Sequence, residues 1–171
     1  MESRRFSMKL LIKQKVFSWG DKFTVYDEAG NERYKVEGEV FSLGKKLHLL
    51  DLTGTELAYI HQKVLSLLPR FFVTINGEEV AEIKAKFSIL KPKYDILGLD
   101  WKVEGNFSGH EYAVYAEEGP VVEISKQWFT WGDTYVLNVP DSKNEVPALA
   151  VVLAIDAVMS QQRANSSSNN H

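Results

Sequence analysis

The chain has 171 residues, 44% of them hydrophobic and 25% charged, with a net charge of −3. This is the profile of one ordinary globular domain, long enough to bury a sizeable core. No cysteine is present, which excludes disulfides, thiol catalysis and cysteine-based zinc sites, and the slightly acidic balance gives no whole-chain attraction to nucleic acid or anionic lipid. Charge is uneven along the chain: residues 1–93 hold 16 Lys/Arg against 12 Asp/Glu, whereas residues 94–171 hold 4 against 11.

Residues 1–7 carry Arg4 and Arg5 without a long apolar stretch. Lys9, Lys13 and Lys15 interrupt the next ten residues, so no secretory signal is expected and the segment reads as an N-terminal extension. From residue 8 to residue 139 the pattern is one of short strands separated by turns. A first strand is predicted near residues 8–12 and a second at 22–27, closed by the turn Asp27-Glu-Ala-Gly30. At 33–39 Tyr34, Val36 and Gly38 alternate with Arg33, Lys35, Glu37 and Glu39, the period of a half-buried strand. Strands at 46–51 and 56–63 flank the matching turn Asp51-Leu-Thr-Gly54. Those at 70–75 and 79–87 flank Asn76-Gly77, the strongest short hairpin signal. Further strands are expected at 94–97, 100–107, 111–116, 121–129 and 134–139. About a dozen such strands at hairpin spacing suggest a barrel or sandwich and leave little room for crossover helices. Phe17-Ser-Trp-Gly-Asp21 recurs as Phe129-Thr-Trp-Gly-Asp133, a turn in which Gly takes positive φ and Trp covers a barrel end.

Residues 146–159 differ in kind, with one charge, Asp156, in an otherwise apolar run. At 100° per residue no polar face remains, so a helix here must be buried. Asn144 is its expected N-cap and Pro147 is tolerable in the first turn. Fourteen residues reach about 21 Å, short of a bilayer core of about 30 Å, and Asp156 counts further against lipid, so no transmembrane span is expected. Burial inside a barrel, with Ala148, Ala150, Ala154 and Ala157 admitting close strands, is the expected answer. The Ser/Asn-rich end, residues 163–171, is expected to be a disordered tail.

The fold class is therefore mainly β: one domain over residues 8–162, a closed antiparallel barrel of about twelve strands wrapped around a hydrophobic C-terminal helix. The early Phe17-Ser-Trp-Gly-Asp21, the Tyr26-Asp-Glu-Ala-Gly30 turn, Tyr34-Lys-Val-Glu-Gly38, the later Trp131-Gly-Asp133 and the terminal apolar helix resemble the LURP-one-related family. That family is related to tubby C-terminal domains and more distantly to phospholipid scramblases. The resemblance implies a tubby C-terminal-like barrel threaded by its last helix. Tubby-like members bind phosphoinositide head groups through basic residues, none of which transfers to a position here. The Pro-rich extension and palmitoylated cysteines of scramblases are missing from this sequence.

The sharpest charge feature is Lys84-x-Lys86-x4-Lys91-x-Lys93, with no acid among residues 84–93. Lys84 and Lys86 share a strand face, and four cations together suit an anionic head group. Lysines that only keep a hairpin soluble are the plainer alternative. Lys45 and Lys46 add a weaker basic pair. His48, His61, His110 and His171 show no ligand spacing, so no metal and no cofactor are expected, and no nucleotide-binding or nucleophile motif occurs. Trp101, Phe107, Tyr112 and Tyr115 read as core or half-buried ladders before a nucleic-acid platform, so nucleic acid is not an expected partner. The expected role is a non-enzymatic binding or scaffold domain, cytoplasmic and peripheral to a membrane, meeting anionic phospholipid or a phosphorylated small molecule through Lys84, Lys86, Lys91 and Lys93. The alternatives are a protein-interaction module without a small ligand and, last, an enzyme with a site at the barrel mouth near Trp19 and Trp131.

Overall fold

The computed structural model describes residues 7–13, 22–39, 41–130 and 132–169. Phe17-Ser-Trp-Gly-Asp21 and Trp131, and with them the proposed mouth site at Trp19 and Trp131, lie outside the described residues. The strands are β1 (Met8–Lys13), β2 (Lys22–Asp27), β3 (Glu32–Gly38), β4 (Lys46–Leu50), β5 (Glu56–Gln62) and β6 (Arg70–Ile75). They continue as β7 (Glu78–Lys86), β8 (Lys93–Leu97), β9 (Lys102–Asn106), β10 (Glu111–Ala116), β11 (Gly119–Phe129) and β12 (Gly132–Val139). A 3-10 turn at Ser142–Asn144 leads into the helix α1 (Glu145–Ser168).

All twelve strands form one sheet in the order β8-β7-β6-β5-β4-β3-β2-β1-β12-β11-β10-β9. Neighbours in the sheet run antiparallel and are consecutive in the chain except at β1–β12, where Met8 faces Val139 and Lys13 faces Thr134. That pairing of first and last strands curls the sheet into a nearly closed barrel. The remaining gap lies between β8 and β9, which are consecutive in sequence but share no ladder. Alternation within strands sets the inner face: Tyr34 and Val36, Leu47 and Leu49, and Phe71 and Val73 are buried, and the residues between them are not. The turns obey local chemistry. Gly30 N–H donates to Asp27 O at 3.0 Å and Gly54 N–H to Asp51 O at 3.1 Å. Asn76 and Gly77 both take positive φ, +52° and +79°, as a two-residue hairpin of this twist requires.

Helix α1 fills the barrel and packs chiefly against β5, β6 and β7. Every residue from 148 to 159 is buried, Asp156 included. Asn144 is the N-cap residue but makes no side-chain cap bond; Asp141 instead accepts from Lys143 N–H at 3.0 Å. Entry to the barrel is held by Glu145. Its carboxylate accepts from Tyr34 Oη at 2.6 Å and from the Arg33 guanidinium at 2.9 and 3.2 Å. Burial, and then the bond to Glu145, push the Tyr34 phenol up, so it stays a donor.

The helix is longer than the sequence suggests. Residues 163–168, expected to be a disordered tail, continue it as exposed turns, and the hydroxyls of Ser166, Ser167 and Ser168 bond to the carbonyls of Gln162, Arg163 and Ala164. A helix already nucleated inside the barrel propagates cheaply, and serine satisfies its hydroxyl by back-bonding. Helix length therefore does not count against a membrane span. By length and composition the helical stretch could cross a membrane, but 72% of its most apolar window is buried in the barrel.

Truncating the helix inside the barrel should be expensive. Leu153→Ala is expected to lower unfolding stability by about 3 kcal/mol through cavity formation. Glu145→Ala should cost about 2 kcal/mol, tempered by the partial exposure of Arg33, because Tyr34 loses its acceptor. Urea denaturation of the two variants measures both.

Candidate functional site at the loop end of the barrel

Strict antiparallel order sends successive connections to alternate ends of the barrel. One end, the turn end, holds residues 28–31, 51–55, 76–77, 98–101, 117–118 and 140–141. These short connections contain the acids Glu28, Asp51, Asp100, Glu117, Glu118 and Asp141 and no Lys or Arg. The other, the loop end, carries longer connections at 39–45, 63–69 and 87–92. The residues and immediate flanks of these three include Lys45, Lys46, Lys63, Arg70, Lys86, Lys91 and Lys93 against the acid Glu39, and the connection 107–110 at the same end adds the flanking Glu111; counted the same way, the flanks of the turn end add Asp27, Glu32, Glu56 and Glu78 against Lys102. The barrel is thus charged oppositely at its two ends. Its polarity runs along the axis, and not between the basic and acidic halves of the sequence.

The four lysines singled out by sequence lie on one hairpin at the loop end. On β7, Lys84 is registered between Arg70 of β6 and Asp95 of β8, and Lys86 faces Lys93 across the ladder. Lys86 Nζ reaches Asp95 at 3.2 Å, and Arg70 is bridged to Glu82 at 3.1 Å. Lys84 is half-buried along the strand, whereas Lys86, Lys91 and Lys93 are exposed around the tip. Three lysines therefore cluster at the tip and the fourth sits further down the same face.

What sequence reasoning missed lies between them. The connection Phe87-Ser-Ile-Leu-Lys-Pro92 exposes Phe87, Ile89 and Leu90 almost completely. Its neighbours do the same: Phe41 and Leu43 project from residues 39–45, and Leu65 and Leu67 from residues 63–69, where Val64 is partly exposed; Phe41, Leu65 and Leu67 reach 102%, 102% and 101% exposure. The available signal was apolar residues inside connections that should be polar, each bounded by lysine.

Below this rim the barrel interior is polar at one point. Asp156 of α1 sits with Oδ1 3.7 Å from His110 Nε2 in the β9–β10 connection, and the His110 ring lies 4.7 Å from Tyr135. Burial first and Asp156 second push the Tyr135 phenol up to about 12, and the same causes raise the fully buried Tyr112 phenol. Tyr94, which donates to Gln162 at 3.0 Å, is also pushed up to about 12, by burial. Burial depresses the Lys45 ammonium, partly offset by Asp156. A groove of about 470 Å³ runs beside the emerging helix, lined by Pro92, Tyr94, Phe107, Met159, Gln162 and Arg163, and reaches neither Asp156 nor His110. Among the described residues no three His, Asp or Glu side chains converge as a metal centre needs.

A helix-filled antiparallel barrel with one basic, apolar end is the class of protein that this geometry defines. The chain belongs to the LURP-one-related family, whose sequence model matches residues 8–156. It is 38% identical over 152 residues to the uncharacterized protein YxjI of Bacillus subtilis (strain 168), covering 89% of this chain and 94% of that protein. Its fold is similar to the X-ray structure of a protein from Arabidopsis thaliana, with a TM-score of 0.65 at 21% identity, covering 90% of this chain and 92% of that one.

The interior phenols make an alkaline prediction. Their folded pKa values lie above the ordinary value of 10, so the folded state holds these protons more tightly than the unfolded chain. Their stabilising contribution is complete below about pH 10 and is lost as pH rises toward about 12. Phenolate absorbance and near-ultraviolet circular dichroism should change together across that window.

Proposed function

We propose that this domain is a non-enzymatic binding module that attaches to membrane surfaces carrying anionic phospholipid, through the head groups, with Lys84, Lys86, Lys91 and Lys93 as the cationic contacts. The supporting observation is the β7–β8 hairpin, which sets Lys86, Lys91 and Lys93 around the exposed Phe87, Ile89 and Leu90. Each ammonium near an anionic surface contributes about 1 kcal/mol, within a Debye length. Lysine acts here as a flexible point charge and suits a fluid array of head groups better than one fixed phosphate. The protein on this reading is cytoplasmic and peripheral to its membrane.

A second reading, a protein-interaction module, rests on the gap in the barrel. The unpaired edges of β8 and β9 flank a groove of about 590 Å³ lined by Asp95, Asp100, Trp101, Lys102 and Glu104. Unpaired edges accept an added strand.

Co-sedimentation with liposomes of graded anionic and phosphoinositide content, at low and moderate salt, separates the two. Binding is expected to rise with anionic lipid and fall with salt. Lys84→Glu with Lys86→Glu should weaken it at least about tenfold without loss of fold. Unchanged affinity in that variant sinks the residue assignment, and no binding by the wild type moves the weight to the strand-edge reading.

A further inference from the structure

Resting on the lipid-surface reading, we infer that the whole loop end, and not the β7–β8 hairpin alone, is the membrane face: the barrel docks with its axis steep to the bilayer and inserts apolar side chains from three connections.

The distribution of exposed apolar groups carries this. Of the twelve large hydrophobics exposed among the described residues, eight lie in the connections 39–45, 63–69 and 87–92. Sequence-distant loops thus supply Phe41 and Leu43, then Leu65 and Leu67, then Phe87, Ile89 and Leu90 to one end. Scattered single hydrophobics are ordinary on a protein surface, but a concentration at one pole marks an interaction face.

The charges select the partner. Every one of the three connections has lysine within it or next to it: Lys45 and Lys46, Lys63, and Lys86, Lys91 and Lys93. Apolar tips with cations immediately behind them suit an interface in which hydrocarbon lies beneath a negatively charged head-group layer. A protein partner with an apolar pocket would need no such ring. The opposite pole, with its six acidic turn residues, is repelled by the same surface, so the charge along the axis orients the barrel before contact. Arg163 emerges on the helix at the loop end, beside Pro92 and Tyr94, and adds to the cationic side.

The chain has no cysteine, so single labels report position directly. Leu43→Cys, Leu65→Cys and Ile89→Cys, each carrying an environment-sensitive fluorophore, are mixed with phosphatidylcholine vesicles containing phosphatidylserine. Thr53→Cys at the turn end is the control. Labels at 43, 65 and 89 are expected to shift to the blue and to be quenched by nitroxides on the acyl chains, while the label at 53 does neither. In parallel, Leu65→Ser with Leu67→Ser should leave the thermal midpoint unchanged and lower vesicle affinity about tenfold. If the protein sediments with vesicles while labels 43 and 65 stay aqueous, the three-loop face is overturned and the lysine hairpin stands. A response at 53 overturns the orientation. No sedimentation at all overturns the lipid-surface reading and this inference with it.

Discussion

The structure depends on one constraint: a twelve-stranded barrel is too wide for its own side chains to fill. About eight strands are the number whose inward residues meet across the axis. With twelve, the interior must be water or another element, and here it is α1. An unbroken apolar surface over residues 148–159 is thereby required, since strands surround the helix on nearly all sides. Ala150 and Ala154 let the wall approach while Leu149, Leu153 and Ile155 fill the wider spaces, all of them fully or almost fully buried. The polar exceptions sit near the two ends of the buried stretch. Glu145 is satisfied by Arg33 and Tyr34 at the turn end, and Asp156 faces His110 toward the loop end.

Filling the interior with a helix leaves the protein few internal places for chemistry. Asp156 and His110 do not line the neighbouring groove, whereas Tyr94 does. The two ends of the barrel differ from one another in charge and in exposed apolar content. Short turns at one end are made by Asp and Gly because tight reversals need them. Longer connections at the other end are under no such demand, and their apolar content is not explained by packing. The same meander that builds the barrel therefore sorts acidic turns from lysine-flanked loops.

Much of this was legible in the sequence. Alternation such as Tyr34 and Val36 against Lys35 and Glu37, and turn signals such as Asn76-Gly77, locate the twelve strands, because period and turn chemistry are local properties. The apolar run after Asn144 foretells the filled interior. Its end did not show, because Ser166 to Ser168 look like tail composition and become helical only by continuing a helix held elsewhere. The candidate site was half visible. Lys84, Lys86, Lys91 and Lys93 stand close in sequence and so could be grouped. Phe41, Leu65 and Leu67 belong to that neighbourhood only through strand parity, a global property. Charge is placed by the same global property: counted along the chain it divides into halves, whereas antiparallel alternation deals it out to ends.

The gap between β8 and β9 has a topological consequence. In a cylinder hydrogen-bonded all the way round, a helix at the C-terminus would have to be threaded along the axis after the wall had formed. A wall with one unlaced edge can instead be wrapped sideways around the helix, like a sleeve, with the pairing of β1 and β12 as the long-range step that gathers the two ends of the chain. The gap is also stitched at one extremity by the four residues 98–101 and has no covalent tie at the other. Any breathing of the sleeve is therefore hinged at the acidic pole and, where the helix leaves the barrel, works against the edge-on contact of Tyr94 with Phe107, ring centroids 4.7 Å apart.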